Sequence, residues 1–329
     1  MSAVLLSAGS ALVAVLALIL ERLAGYPDRL HAAIRHPVVW MGWLVDRLER
    51  TLNPADGSAG IRRRGGAAAL GALLAATLIV TLPITLFLRM LPGGLVIEAL
   101  LASTLLSQKS LRQHVAAVAD GLDTGIDDAR VAVSHIVGRD PQQLDASDIS
   151  RAAIESLAEN ASDGVTAPLF WLVIAGLPGI ALYKAINTAD SMIGHRSPRY
   201  ADFGWASARL DDAVNLPASR LTGLVFALAA GLGDRAGGRA AWRAMRRDAG
   251  RHQSPNAGWP EAAMAGAVGI RLGGPRSYGG AVTELAWMGE GRTALTAADI
   301  RAALTIYGRA LNLLLAAALV WFALLWTVS

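Results

Sequence analysis

The sequence predicts an all-α, polytopic membrane bundle, with roughly four to six membrane segments and helical cytoplasmic loops. Three observations carry that prediction. The 329 residues are 53% hydrophobic and only 17% charged, where soluble domains carry about 25% charge. Mean hydropathy is +0.41, too apolar for a soluble surface free of sticky patches and for disorder. The apolar residues gather in long runs, with the charges grouped beside them. The simplest organisation is one membrane-embedded domain over residues 1–329.

A crossing helix needs about 20 mostly apolar residues. Residues 1–20 carry no charge and end at Glu21-Arg22. With no Lys or Arg ahead of the apolar run, they read as an uncleaved span, not a signal peptide. Residues 67–88, stopped by Arg89, and 310–329 form two more spans. Residues 90–107, apolar apart from Glu98, return the chain across the bilayer. Residues 164–183 are interrupted by Pro168, Gly176, Pro178 and Gly179, and 213–233 carry Arg220 centrally. Both read either as kinked spans or as re-entrant, cavity-lining helices. Lys and Arg concentrate in 21–66, 108–151 and 234–309, placing these segments in the cytoplasm and both termini outside. A full crossing by 164–183 would export the polar stretch 184–212, so the charge bias favours the re-entrant form.

The absence of cysteine excludes disulfides, thiolate metal sites and cysteine nucleophiles. A net charge of +4 and an isoelectric point near 9.8 suit the anionic cytoplasmic face of a membrane. No zinc finger or aromatic-studded basic strand points to nucleic acid.

The polar blocks hold the candidate chemistry. A helix is expected over 151–163, capped by Ser147 or Asp148. It stacks Glu155, Glu159 and Asp163 on one face at four-residue spacing, with Asn160 beside them. Such a stack is either a solvated or Arg-paired face, or a cation or amine site beside the membrane. Lys184, Asn187 and Asp190 share a helical face that Gly194 should end. His195, Arg196, Arg199 and Tyr200 follow as a donor cluster, suited to phosphate or carboxylate. Asp211-Asp212 suits Mg²⁺ or simple helix capping. Arg235, Arg239, Arg243, Arg247 and Arg251 recur every fourth residue, as in an interfacial helix on anionic lipid or an anionic-substrate surface. Gly273-Gly274 is a turn whose amides suit close approach to a phosphate. No Walker A loop, zinc-protease helix, nucleophile elbow or dinucleotide fingerprint is present.

Several long blocks resemble the adenosylcobinamide-phosphate synthase family of cobalamin biosynthesis. They are His36-Pro-Val-Val-Trp-Met-Gly42, Glu155-Ser-Leu-Ala-Glu-Asn-Ala-Ser-Asp-Gly-Val165, the Tyr183 to Arg196 block, Ser254-Pro-Asn-Ala-Gly-Trp-Pro-Glu261 and Arg271-Leu-Gly-Gly-Pro275. One departure stands after the first span, where many relatives have Gly-Glu-Pro and this chain has Gly25-Tyr26-Pro27.

The resemblance implies an integral enzyme of the bacterial cytoplasmic (inner) membrane, with its active site facing the cytoplasm. It implies ATP-dependent amide ligation of adenosylcobyric acid with (R)-1-aminopropan-2-ol or its O-phosphate. The expected requirements are ATP and Mg²⁺, and the expected partners are the corrinoid and amine substrates, the bilayer and other membrane-associated cobamide-assembly enzymes. A carboxylate is a poor acyl donor, so activation as an acyl phosphate is expected, with a carboxylate base for the amine and cations for the phosphoryl charge. On this reading Glu155, Glu159, Asp163 and Asp190 are catalytic, and Asp190, Asp211 and Asp212 hold metal. His36, Trp40, Asn160, Lys184, Asn187, His195, Arg196, Arg199, Arg209, Asn256, Gly273 and Gly274 bind substrate. A membrane sensor or regulatory relative would lack the acidic stack or the Lys184–His195 block. A transporter would show inverted repeats, and none is visible.

Overall fold

The computed structural model describes residues 6–27, 32, 35–138, 141–278, 281–283 and 285–327. The protein is an all-α polytopic membrane protein. Its described helices are α1 (Ala8–Ala24), α2 (Pro37–Leu52), α3 (Ala59–Met90), α4 (Gly94–Ser103), α5 (Gln108–Thr124), α6 (Ile126–Ser134) and α7 (Ala146–Ala161). A π turn, Ser162–Thr166, leads into α8 (Ala167–Ile193), followed by α9 (Trp205–Gly231), α10 (Arg235–Asp248), α11 (Gly258–Val268) and α12 (Ala297–Trp326). Between α11 and α12 run short strands β1 (Leu272–Gly273), β2 (Arg276–Tyr278), β3 (Ala281–Thr283) and β4 (Trp287–Met288). β1 pairs antiparallel with β4, and β2 with β3.

Four helical runs are long and apolar enough to cross a membrane: Ala59–Arg89, Ala146–Ile193, Trp205–Gly231 and Ala297–Trp326. They contain the expected segments 67–88, 164–183, most of 213–233 and most of 310–329. On α3, Ile79, Val80 and Phe87 are exposed, as suits a surface meant for lipid and not for water. The expected crossing at 90–107 is corrected. It is the ten-residue helix α4, about 15 Å long against a hydrocarbon core of about 30 Å. Of the expected span 1–20, residues 1–5 lie outside the described residues, and α1 follows from Ala8.

The chain divides into two compact units. The first comprises residues 1–107, 167–215 and 317–329. Its core packs Val45 of α2, Leu70 and Leu73 of α3, Ala185, Ala189 and Ile193 of α8, and Phe203. A Cβ on Gly66 would stand 1.8 Å from the Phe203 carbonyl, so only glycine allows α3 to approach there. Helix α8 is broken at Ala175 and Gly176. Gly176 has φ +62°, which L side chains rarely adopt. The freed Leu177 amide donates to Glu98 of α4 at 3.4 Å. Arg89, at the end of α3, reaches the same carboxylate through two 3.0 Å bonds and donates to Ser10 of α1 at 2.9 Å. Glu98 was the polar exception in the expected span 90–107; it is instead the buried anchor of a helix break.

The second unit comprises residues 108–166 and 216–316. Ile149, Ile154 and Leu157 of α7 are fully buried, as is Met264 of α11. Asp145 caps α7 by accepting from the Asp148 amide at 2.8 Å. The expected caps serve otherwise: Ser147 donates to the Thr293 carbonyl at 3.0 Å, and Asp148 pairs with Arg151 at 2.7 Å. Gly237 and Gly238 do not interrupt α10. A Cβ on Gly238 would stand 2.7 Å from the Gly231 Cα, so close approach to the end of α9 is what glycine supplies there.

Candidate active site

In the first unit, the polar face of α8 meets the start of α9. Asp211 is buried and accepts from both flanking amides, Asn215 at 3.0 Å and Asn187 at 3.4 Å. Asn215 in turn accepts from the Tyr183 hydroxyl at 2.9 Å. This chain fixes the Asp211 carboxylate on both oxygens. Asp190 lies within electrostatic range of Asp211, Asp212 and His195. Asp211 and Asp212 stand inside α9, beyond its first turn, so neither is a helix cap. Gly194 ends α8 as its spacing predicts, its amide donating to the Asp190 carbonyl at 2.7 Å. A Cβ there would strike the Asp190 carboxylate at 2.0 Å, so glycine also makes room for that side chain. Lys184 lies on the same helix, half-buried, and His195, Arg196 and Arg209 are exposed.

Arg199 forms a two-pronged pair with Glu49 of α2, at 2.7 and 2.9 Å, and Asn53 braces the same carboxylate at 2.9 Å. Burial alone would raise the Glu49 carboxyl. The hydrogen bonds from Arg199 and Asn53 and the positive charges of Arg199 and Arg50 outweigh it and hold the group below the ordinary glutamate value. His36 caps α2, its Nδ1 accepting from the Val38 amide at 3.2 Å, with the Tyr26 ring 4.7 Å away. Trp40, one turn on, is exposed.

In the second unit, Glu155 is buried and accepts the Gly273 amide at 2.6 Å. Glu159 and Asn160 are exposed, and Asn160 donates to the Ser156 carbonyl at 2.9 Å. The continuous α-helix expected through Asp163 is corrected. α7 stops at Ala161, and Asp163 sits in the wider π turn, where Thr166 hydrogen-bonds back to the Ala161 carbonyl at 3.1 Å. Such turns recur at functional sites. The expected phosphate cradle at Gly273-Gly274 is also different. Gly273 gives its amide to Glu155, and Gly274 gives its own to the Ala286 carbonyl at 3.3 Å. Both have φ near +77°, and a Cβ on Gly274 would lie 2.3 Å from the Trp287 ring. Asn256 is buried and accepts from Ser219 at 3.1 Å.

Among the described residues, no group of three or more His, Asp or Glu side chains gathers as a metal cage. Hydrated Mg²⁺ needs only one or two carboxylates, completing its shell with water and substrate phosphate. Asp190, Asp211 and Asp212, expected together as metal ligands, do not gather as such a cage; one or two of their hard oxygen donors would suit hydrated Mg²⁺. Glu49 and Asn215 escaped the sequence reading, and Tyr183 entered it only as the first residue of a block, with no role of its own. Asn215, one turn after Asp211, was visible as an i, i+4 neighbour; Glu49 is paired only by the fold.

No solved structure matches the chain. It is 51% identical over 314 residues to "Cobalamin biosynthesis protein CobD" of Sinorhizobium fredii, covering 94% of this chain and 96% of that protein. It is 49% identical over 317 residues to the protein of the same name from Rhodobacter capsulatus, covering 96% and 98%. The Brucella suis protein of that name is 48% identical over 310 residues, covering 92% and 94%. A family model described as CobD/Cbib protein matches residues 14–307, and the chain therefore belongs to the CobD/Cbib family.

Proposed function

We propose that this protein acts in cobalamin biosynthesis as an ATP-dependent amide ligase. It would join adenosylcobyric acid to (R)-1-aminopropan-2-ol or its O-phosphate, on the cytoplasmic face of the bacterial inner membrane. The observation that carries the reading is near-full-length identity of about half to proteins named for cobalamin biosynthesis, together with the intact acidic and Lys184–Arg196 blocks.

The substrate carboxylate attacks the terminal phosphorus of ATP, releasing ADP and leaving an acyl phosphate. The neutral amine then attacks the acyl carbon, its proton passes to a carboxylate, and phosphate departs. Bound Mg²⁺ would neutralise developing phosphoryl charge. Asp190 and Asp212 would hold it, beside an Asp211 oriented by Asn187 and Asn215. Lys184, His195 and Arg196 supply donors for phosphate or carboxylate. Arg199, tied to Glu49, holds the loop that carries His195 and Arg196. Glu159 and Asp163 are assigned to the amine, as holder or base. Glu155 is a positioning residue that clamps the Gly273 turn.

The test is direct. Purified protein in detergent is incubated with adenosylcobyric acid, Mg-ATP and each amine in turn, and corrinoids are separated by mass. Product with one amine supports the ligase reading and identifies the acceptor; no corrinoid product with either amine defeats it.

A further inference from the structure

Helix α10 borders a half-open cavity of about 630 Å³ that the ligase reading leaves unused. Its wall takes Trp242, Arg243, Arg246 and Arg247 from α10, Gly266 from α11 and Glu290 from the turn after β4. The two helices meet so closely that a Cβ on Gly266 would stand 2.6 Å from the Ala240 carbonyl. Backbone and small side chains therefore form the floor. Arg247 is already engaged: it forks onto buried Asp248 at 2.8 and 2.6 Å and also pairs with Glu290. Arg251 adds a 3.4 Å contact to Asp248. Arg243 and Arg246 differ, since neither has a carboxylate partner among the described residues. Arg246 lies 5.9 Å from the centre of the Trp242 ring.

Two guanidiniums without a carboxylate, on a cavity floored by small apolar groups, suit an anion with an apolar neighbour. Chain connectivity indicates its source. α9 is long and apolar enough to cross a membrane, and only Leu232, Gly233 and Asp234 separate it from α10. Trp242 is exposed, and tryptophan is enriched at the level of lipid headgroups. We propose that this cavity holds the phosphate of an anionic membrane phospholipid, with Arg243 and Arg246 donating to its oxygens. A soluble phosphate compound shares that chemistry, and the experiment separates the two sources.

The full chain in detergent is titrated with phosphatidylglycerol, phosphatidylcholine and glycerol 3-phosphate, following binding and thermal midpoint. Phosphatidylglycerol is expected to bind and raise the midpoint, and the other two to do neither. R243Q/R246Q should weaken phosphatidylglycerol binding roughly thirtyfold, and R243Q alone, which guards against misfolding of the double variant, about fivefold. R235Q/R239Q removes the same charge from the same helix outside the cavity and should bind as wild type. The proposal falls if the cavity variants bind phosphatidylglycerol undiminished. It also falls if R235Q/R239Q loses as much, which would mean diffuse attraction, or if glycerol 3-phosphate matches phosphatidylglycerol, which would mean a soluble ligand.

Discussion

The Gly273 amide donates to the buried Glu155 carboxylate at 2.6 Å, tying the turn at β1 to helix α7. A carboxylate that looks catalytic by spacing is thereby also a strut. Glu155→Ala leaves a buried amide without its acceptor and should cost about 1–3 kcal/mol. Glu155→Gln keeps a carbonyl acceptor in place. The expected result is a lowered thermal midpoint for the alanine variant and a nearly unchanged one for glutamine. Equal losses for both would show that charge, and not the hydrogen bond, does the holding.

Gly176 presents a second conformational requirement. Its φ of +62° and the crowding by Arg89, Glu98 and Ser10 at 3.1–3.2 Å leave no relaxed place for a Cβ. Gly176→Ala should destabilise by about 1–3 kcal/mol, read as a lower midpoint in detergent. An unchanged midpoint would mean that the break in α8 does not need this conformation.

Arg89 and Glu98 should behave as a unit. Their side chains are 12% and 0% exposed, so removing one strands the other's charge, at about 3–5 kcal/mol. Arg89→Met and Glu98→Leu should each be severely destabilising, and the double variant less so than either. A double variant whose loss equals the sum of the singles would deny the pairing.

Asp190 and Asp211 should separate in kinetics. Asp190→Ala should lower turnover by about a hundredfold or more and raise the Mg²⁺ concentration needed. Asn215→Ala, which removes one brace from Asp211, should raise that Mg²⁺ requirement while leaving most of the turnover at saturating metal. Full turnover by Asp190→Ala would remove it from the catalytic set.

Acid should loosen two clamps. Burial alone would raise Asp248, yet hydrogen bonds from Arg247 and the Gly289 amide and the charges of Arg247 and Arg251 hold it low, and Glu49 is held low by Arg199. A carboxyl whose folded value is depressed adds stability above its unfolded value and loses it as pH falls through the folded one. The thermal midpoint should therefore fall as pH drops below about 4. Glu49→Gln should start lower at neutral pH and show a shallower fall; an identical pH profile would remove Glu49 as a contributor.

Much of the molecule was legible in the chain. The runs around 67–88 and 310–329 declared themselves because burying backbone in lipid requires long uncharged helices, and that demand is local and periodic. Gly194 as the stop of α8 was legible for the same reason: a helix end is decided by its own few residues. The Glu155–Glu159 spacing was visible, but the π turn that takes Asp163 out of the α-helix was not, because Asp163 continues the same four-residue spacing in sequence. The Gly273-Gly274 turn was recognised as a turn, while the destination of its amides was not.

Composition and short-range pattern by themselves determined an all-α membrane protein with its charges gathered in a few polar blocks. The length of named blocks also placed it among its relatives. Tertiary structure alone decided which charges serve as scaffold. Glu98 turned from a blemish in an expected span into the anchor of a broken helix, Arg199 became the partner of Glu49, and Glu155 the partner of Gly273. The physical reason is common to all three. A buried charge is tolerable only with a partner, and the partner lies on another element, at a distance in sequence that no local period records.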